Sequence, residues 1–155
     1  MTASGAAVFG PHIDDPDADG FVGITFGGDG HGAGYGRMLA RAEADGTARV
    51  RFETGRRAAN VVGAVHGGFM LSCLDQALFI GPVRMGRLES AGRAVTLGLS
   101  TQFLAPGQAD HPLDCVVEIV GETGKLMFVR GQMEQEGRAL LTYQATLRKI
   151  TPRAA

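Results

Sequence analysis

The sequence predicts an α+β fold in which an antiparallel β-sheet wraps around one long central helix. Three observations lead there. Residues 69–80 (Phe, Met, Leu, Ser, Cys, Leu, Asp, Gln, Ala, Leu, Phe, Ile) are apolar almost all round at helical pitch, the pattern of a helix covered on several sides. Four strand-like runs follow, joined by short turns, with no second convincing helix. No strand–helix–strand rhythm repeats, so the strands should pair antiparallel. At 155 residues, 45% hydrophobic and 20% charged, the chain has the length and composition of one globular domain with a single core.

Residues 1–36 stand apart from this pattern. They hold ten glycines, including the run Phe26-Gly-Gly-Asp-Gly-His-Gly-Ala-Gly-Tyr-Gly36, and read as a flexible or interface-packed arm. Gly28, Gly30 and Ala33 fit a loose G-x-G-x-x-A pattern, but a dinucleotide loop needs a buried strand before it and a helix after it. Here the preceding strand would be only residues 21–26, and a strand-like alternation follows. The domain proper is expected over residues 37–150, with a short tail at 151–155. Residues 38–44 and 47–53 flank Asp45-Gly46, a hairpin signal. The helix is expected to stop near Gly81-Pro82, because proline extends a helix poorly. Beyond it Val95, Leu97, Leu99, Thr101 and Phe103 alternate with Thr96, Gly98, Ser100 and Gln102. Leu113, Cys115, Val117 and Ile119 alternate with more polar neighbours. Residues 125–134 and 138–149 meet at Glu136-Gly137, a second hairpin signal.

Composition also narrows function. A net charge of −1 gives no general attraction to nucleic acid or anionic membrane. No stretch nears the roughly 20 apolar residues of a membrane span. The first 20 residues lack a basic segment followed by a sustained apolar one, so secretion is not expected. Cys73 and Cys115, without CxxC spacing, read as reduced structural residues, which suits a cytoplasmic protein. His12, His31 and His111 are scattered without ligand spacing, so no metal is expected. No Gly-x-Ser-x-Gly elbow is present.

The feature that points to chemistry is Asp75. An ionised carboxylate in an apolar helix costs several kcal/mol unless partners compensate it. Nine positions upstream lies His66-Gly67-Gly68, preceded by Asn60-Val-Val-Gly63. Taken singly, each has a structural reading: Asp75 paired with an arginine, His66 as a hydrogen-bonded histidine, Gly67-Gly68 as a tight loop, Asn60 as a turn residue, Thr96 as a β-branched strand residue. Cys73, in an apolar run with no base nearby in sequence, is a poor nucleophile.

Taken together, Asn60, Gly63, His66-Gly67-Gly68, Asp75 and the strand 96–103 ending in Ala105-Pro106-Gly107 resemble the hotdog-fold acyl-CoA thioesterases of the PaaI-like, phenylacetate-pathway type. The match runs in order over residues 38–149; residues before 37 have no counterpart. The resemblance implies hydrolysis of an aryl- or short- to medium-chain acyl-CoA with no cofactor and no metal. It gives Gly67 as a backbone N–H donor to the thioester oxygen and Asp75 as nucleophile or general base. Asn60 and His66 would hold or polarise the thioester, and Thr96 would orient the carboxylate or its water. It also implies dimers that pair into tetramers. Gly68, Phe69 and Phe79 are the candidates for the acyl side of the site, and Arg84, Lys125 and Arg130 for the CoA phosphates. The alternative is a non-catalytic acyl-CoA-binding or regulatory protein on the same fold.

Helix geometry adds an argument of its own. A helix N-terminus offers unpaired N–H groups to developing negative charge, and glycines let a carbonyl approach it. On one helix His66 and Asp75 would lie about 180° apart and roughly 13 Å along the axis. They do not converge within one chain. Two antiparallel helices about a twofold axis would bring Asp75 of one to Gly67 of the other, so the spacing predicts a shared site and an obligate dimer.

Overall fold

The computed structural model describes residues 11–150. Its strands are β1 (Pro11–Ile13), β2 (Val22–Phe26), β3 (Met38–Ala42), β4 (Ala48–Phe52), β5 (Ala94–Phe103), β6 (Leu113–Glu122), β7 (Leu126–Gln135) and β8 (Arg138–Lys149), with one α-helix, α1 (Gly67–Arg84). They form a single sheet in the order β1-β2-β3-β4-β6-β7-β8-β5, antiparallel at every step. Alternation supplies the core: Val50, Phe52, Leu113, Val117, Met127, Leu141 and Leu147 point from the sheet towards Cys73, Leu74, Ala77 and Leu78 of the helix, and all are buried. Gly81 lets α1 sit close on β6, since a Cβ there would fall 2.8 Å from Val117.

The sheet begins well before residue 37. Residues 11–26, read from sequence as part of an arm, pair as β1 and β2 on the edge of β3. A Cβ at Gly23 would run into the paired side chains of Asp14 and Arg37, joined at 2.9 Å across that position. Strands of three and five residues, the second interrupted by Gly23, carry little alternation to read. Residues 1–10 of the expected arm and the tail at 151–155 lie outside the described residues.

The helix also runs past its expected stop, with Pro82 inside its last turn. Gly86, at φ +69°, ends it instead. The N–H of Arg87 donates to the carbonyl of Pro82 (2.8 Å) and that of Gly86 to Val83 (3.0 Å), closing the last carbonyls in a Schellman arrangement. At the other end His66 is the N-cap, its Nδ1 accepting from the N–H of Gly68 at 2.9 Å.

The face of the sheet turned away from α1 carries a charge network. Arg51 grips Asp114 with two hydrogen bonds (2.7 and 2.8 Å), and Arg49 bridges Asp114 (2.9 Å), Glu134 (2.7 Å) and Glu43 (3.1 Å). Burial pushes the Asp114 carboxyl up, but the hydrogen bonds and charges of Arg51 and Arg49 outweigh it and hold the group below the usual carboxylate range. Its contribution to stability is therefore complete above the unfolded-state value near 4 and is lost as pH falls through the lower folded value. Asp114→Ala is expected to cost about 3–5 kcal/mol at neutral pH, as for other half-broken buried pairs. Urea unfolding against pH checks this: the gap between wild type and variant should close in acid, and a gap constant down to about pH 2.5 would refute the assignment.

Candidate active site

The motif loop is built by its own backbone. Asn60 Oδ1 accepts from the N–H of Val62 (3.0 Å) and of Ala64 (3.1 Å), while Gly63 takes φ +83° to complete the turn. The loop is tied down by His66 N–H to Ala58 O (2.6 Å) and Val65 N–H to Gly107 O (2.9 Å). Glycine at 107 eases that approach, because a Cβ would fall 2.8 Å from Leu140 Cδ1 and 3.1 Å from Val65 Cγ2 and force those side chains to shift. Asn60 thus has a structural duty for its oxygen and keeps its amide nitrogen free of partners among the described residues. His66 uses Nδ1 as the cap acceptor, so the neutral ring carries its proton on Nε2, and the side chain is exposed. The N–H of Gly67, first of the helix, has no acceptor among the described residues. A Cβ on Gly67 would lie 3.3 Å from the ring of Phe103, which places the end of β5 beside the helix N-terminus.

Asp75 lies two turns further along, off the buried face of α1 and within reach of the edge strand β5, half-buried. Thr96 Oγ1 donates to its Oδ1 at 3.0 Å. Strict alternation would put Thr96 on the opposite face from Leu99 and Phe103. The β5–β8 register shifts between Thr96 and Gly98, where Leu97 is an extra residue. That bulge brings Thr96, opposite Leu147, onto the same face as Leu99 and Phe103, opposite Ala145 and Leu141. Along the same open side of the helix lie Phe69, Ser72, Gln76, Phe79 and Val83, none of them fully buried. The helix read as apolar all round is therefore packed on its sheet side and left partly uncovered on the other.

The basic candidates separate. Arg130 points to the outer face of the sheet and is held by Glu118 at 2.8 and 3.0 Å. Lys125 is exposed in the β6–β7 turn, and Arg84 is half-buried in the last turn of α1, its Nε without a partner. Within one chain none of the three meets Asp75. Burial drives the Cys73 thiol far above its ordinary pKa and the Cys115 thiol to about 12, so neither supplies a thiolate. Among the described residues no group of three or more His, Cys, Asp or Glu converges as a metal site requires, and no helix is long and apolar enough to cross a membrane.

One cluster beside Asp75 has no signature in the sequence. The 3-10 turn His31–Tyr35 folds onto α1. Tyr35 Oη contacts Ser72 Oγ and donates to the Ser72 carbonyl at 3.0 Å; His31 Nε2 lies 3.0 Å from Ser72 Oγ and 2.9 Å from Tyr35 Oη. Contacts between residues 37–41 positions apart leave no local pattern. The one signal on offer is a lone Tyr and a lone His in a run of glycines.

The profile of the thioesterase superfamily matches residues 62–142, and the chain belongs to that family. Solved structures share its hotdog fold. A point mutant of the phenylacetic acid degradation protein PaaI from Thermus thermophilus is 20% identical, with 73% of this chain and 93% of that one covered at a TM-score of 0.61. A hypothetical thioesterase from Streptococcus pneumoniae with coenzyme A is 20% identical over 92% of this chain and 99% of that one, at 0.63. Smu.793 from Streptococcus mutans, bound to acetyl CoA, is 22% identical over 70% and 85%, at 0.59. No curated protein matches the sequence at a significant level.

Proposed function

We propose that the protein hydrolyses an aryl- or short- to medium-chain acyl-CoA to the free acid and CoA, at a site completed by a second copy of the chain. The observation that carries this reading is Asp75, held by Thr96 on the open side of a helix whose leading N–H, at Gly67, is unused. In this reading the thioester oxygen sits against the Gly67 N–H, where the positive end of the helix stabilises the charge that develops on it. Asp75 then does one of two things. It attacks the carbonyl carbon, expelling CoA thiolate and leaving an anhydride that water opens, or it takes the proton from a water that attacks directly. The Thr96 hydroxyl fixes the carboxylate orientation in both. The Asn60 amide nitrogen and His66 Nε2–H are the donors left to position the thioester, with Gly68, Phe69 and Phe79 beside the acyl group. Arg84 and Lys125, without carboxylate partners among the described residues, are the better candidates for CoA phosphates; Arg130 is already committed to Glu118.

Two features favour a second copy. Gly67 and Asp75 are eight residues apart on one helix, about 12 Å along its axis, too far to serve one carbonyl. Strand β5 is the sheet edge and exposes Val95, Leu97, Leu99 and Phe103, a surface that a soluble monomer seldom leaves bare. Pairing there would make a dimer, and dimers of this kind could associate further into tetramers.

The first test is release of free CoA from a panel of aryl- and straight-chain acyl-CoAs, read by thiol detection. Turnover on one acyl class is the expected result. Tight ester binding with no turnover on any of them would replace this reading with that of an acyl-CoA-binding protein.

A further inference from the structure

The glycine-rich turn that the site does not otherwise use forms one wall of an open cleft of about 460 Å³ against α1, lined by His31, Tyr35, Phe69 and Ser72 and, towards its rim, by Glu53 and Arg57 among others. Its position is telling. Ser72 precedes Asp75 by three residues and so stands next to it on the helix surface, while Phe69 lies one turn further towards Gly67. Thr96 holds the carboxylate of Asp75 at 3.0 Å and is not among the residues that line the cavity. The negative charge of Asp75 also reaches Tyr35, adding to the effect of burial in keeping its phenol protonated, against the opposing hydrogen bond from Ser72. The cavity therefore reaches α1 at Phe69 and Ser72, one helical turn from the carboxylate.

We infer that residues 27–36 form a flap over the acyl chamber and that the Tyr35 ring is the wall that limits the length of the acyl group. This rests on the thioesterase reading and names the part of the chain that sets its selectivity. The flap is shaped for the role by its glycines: a Cβ at Gly32 would fall 3.0–3.1 Å from the Phe26 ring, so a side chain there would crowd the turn against β2. It is latched at few points. Tyr35 and His31 meet Ser72, Arg57 donates to the Gly34 carbonyl at 3.3 Å, and Tyr35 stacks edge-on against Phe52 with ring centroids 5.9 Å apart. The ring is thus seated in the core wall while its hydroxyl holds the helix. Bulk at position 35 sets the depth of the chamber, and the hydroxyl sets only how firmly the flap is closed.

The test uses Tyr35→Ala and Tyr35→Phe on a series of straight-chain acyl-CoAs from acetyl to dodecanoyl, with kcat/KM and calorimetric Kd measured for each ester. Tyr35→Ala is expected to move the longest accepted chain outward by several carbons, raising the long-to-short ratio of kcat/KM by about tenfold or more, the scale of a few buried methylenes. Tyr35→Phe, which keeps the ring, should retain the wild-type length profile. A Tyr35→Ala profile that superimposes on wild type after scaling would overturn the chamber, as would a Tyr35→Phe profile shifted as far as that of Tyr35→Ala. If wild type binds the esters but hydrolyses none, the thioesterase reading fails alone, and the dependence of Kd on chain length in Tyr35→Ala still decides the chamber. Absence of binding at every length overturns both.

Discussion

Asn in place of Asp75 is expected to lower CoA release by about 10²–10⁴-fold, the range lost with a general base, and by more if the carboxylate is the nucleophile. The substitution isolates chemistry from folding. Asn has the same shape, and its side-chain oxygen can still accept the Thr96 hydroxyl now 3.0 Å from Asp75 Oδ1. Only the basicity and the nucleophilic oxygen go. The thermal midpoint and acyl-CoA affinity should therefore stay close to wild type while kcat falls. A variant that turns over at the wild-type rate would remove Asp75 from the mechanism even though the fold stands.

The second large effect is expected from Gly67→Pro, which deletes one N–H and little else. Proline is well accepted at the first position of a helix, and His66, at φ −67° and ψ 132°, already has the extended conformation that a residue before proline needs. That N–H has no partner among the described residues, so its loss costs no hydrogen bond there. The added Cβ would lie 3.3 Å from the edge of the Phe103 ring, a contact that a shift of a few tenths of an ångström relieves. Loss of a single oxyanion donor predicts a fall of about 10²–10³-fold in kcat. Mixing this variant with Asp75→Asn after subunit exchange then tests the shared site. Each mixed dimer would hold one site with an intact Gly67 from one chain and an intact Asp75 from the other, so activity should return well above the sum of the two separate variants. A mixture that stays at that sum would mean each chain works alone.

Elements with strong local signals are legible in the sequence alone. Gly46 at φ +84° and Glu136-Gly137 at φ 50° and 79° turn the two hairpins where their dipeptides suggest, and one apolar helix stands out among strands. The helix end is misplaced in that reading because Pro82 is the louder signal; it sits in the final turn, where its cost is one hydrogen bond, and Gly86 does the stopping. The first strands are barely legible: β1 has only three residues, and β2, with a glycine inside it, shows only as a short run at residues 21–26 with no period that ties it to the sheet. Within the site, the Asp75–Thr96 contact follows from the resemblance to a family and not from the strand pattern, which assigns Thr96 to the wrong face. The flap contacts of His31 and Tyr35 with Ser72 are purely tertiary, and no window of sequence contains both partners.

The extra residue at Leu97 gives β5 two independent phases. Upstream of it the strand is set by the need to present one hydroxyl to a carboxylate; downstream, Leu99 and Phe103 follow the ordinary beat of the ladder with β8. A strand without that slip would have to choose between them, because moving one side chain across the sheet moves all the others. Here the half that brings Thr96 to Asp75 and the half that shapes the exposed edge can drift separately, so changes along that edge need not disturb the contact with the carboxylate.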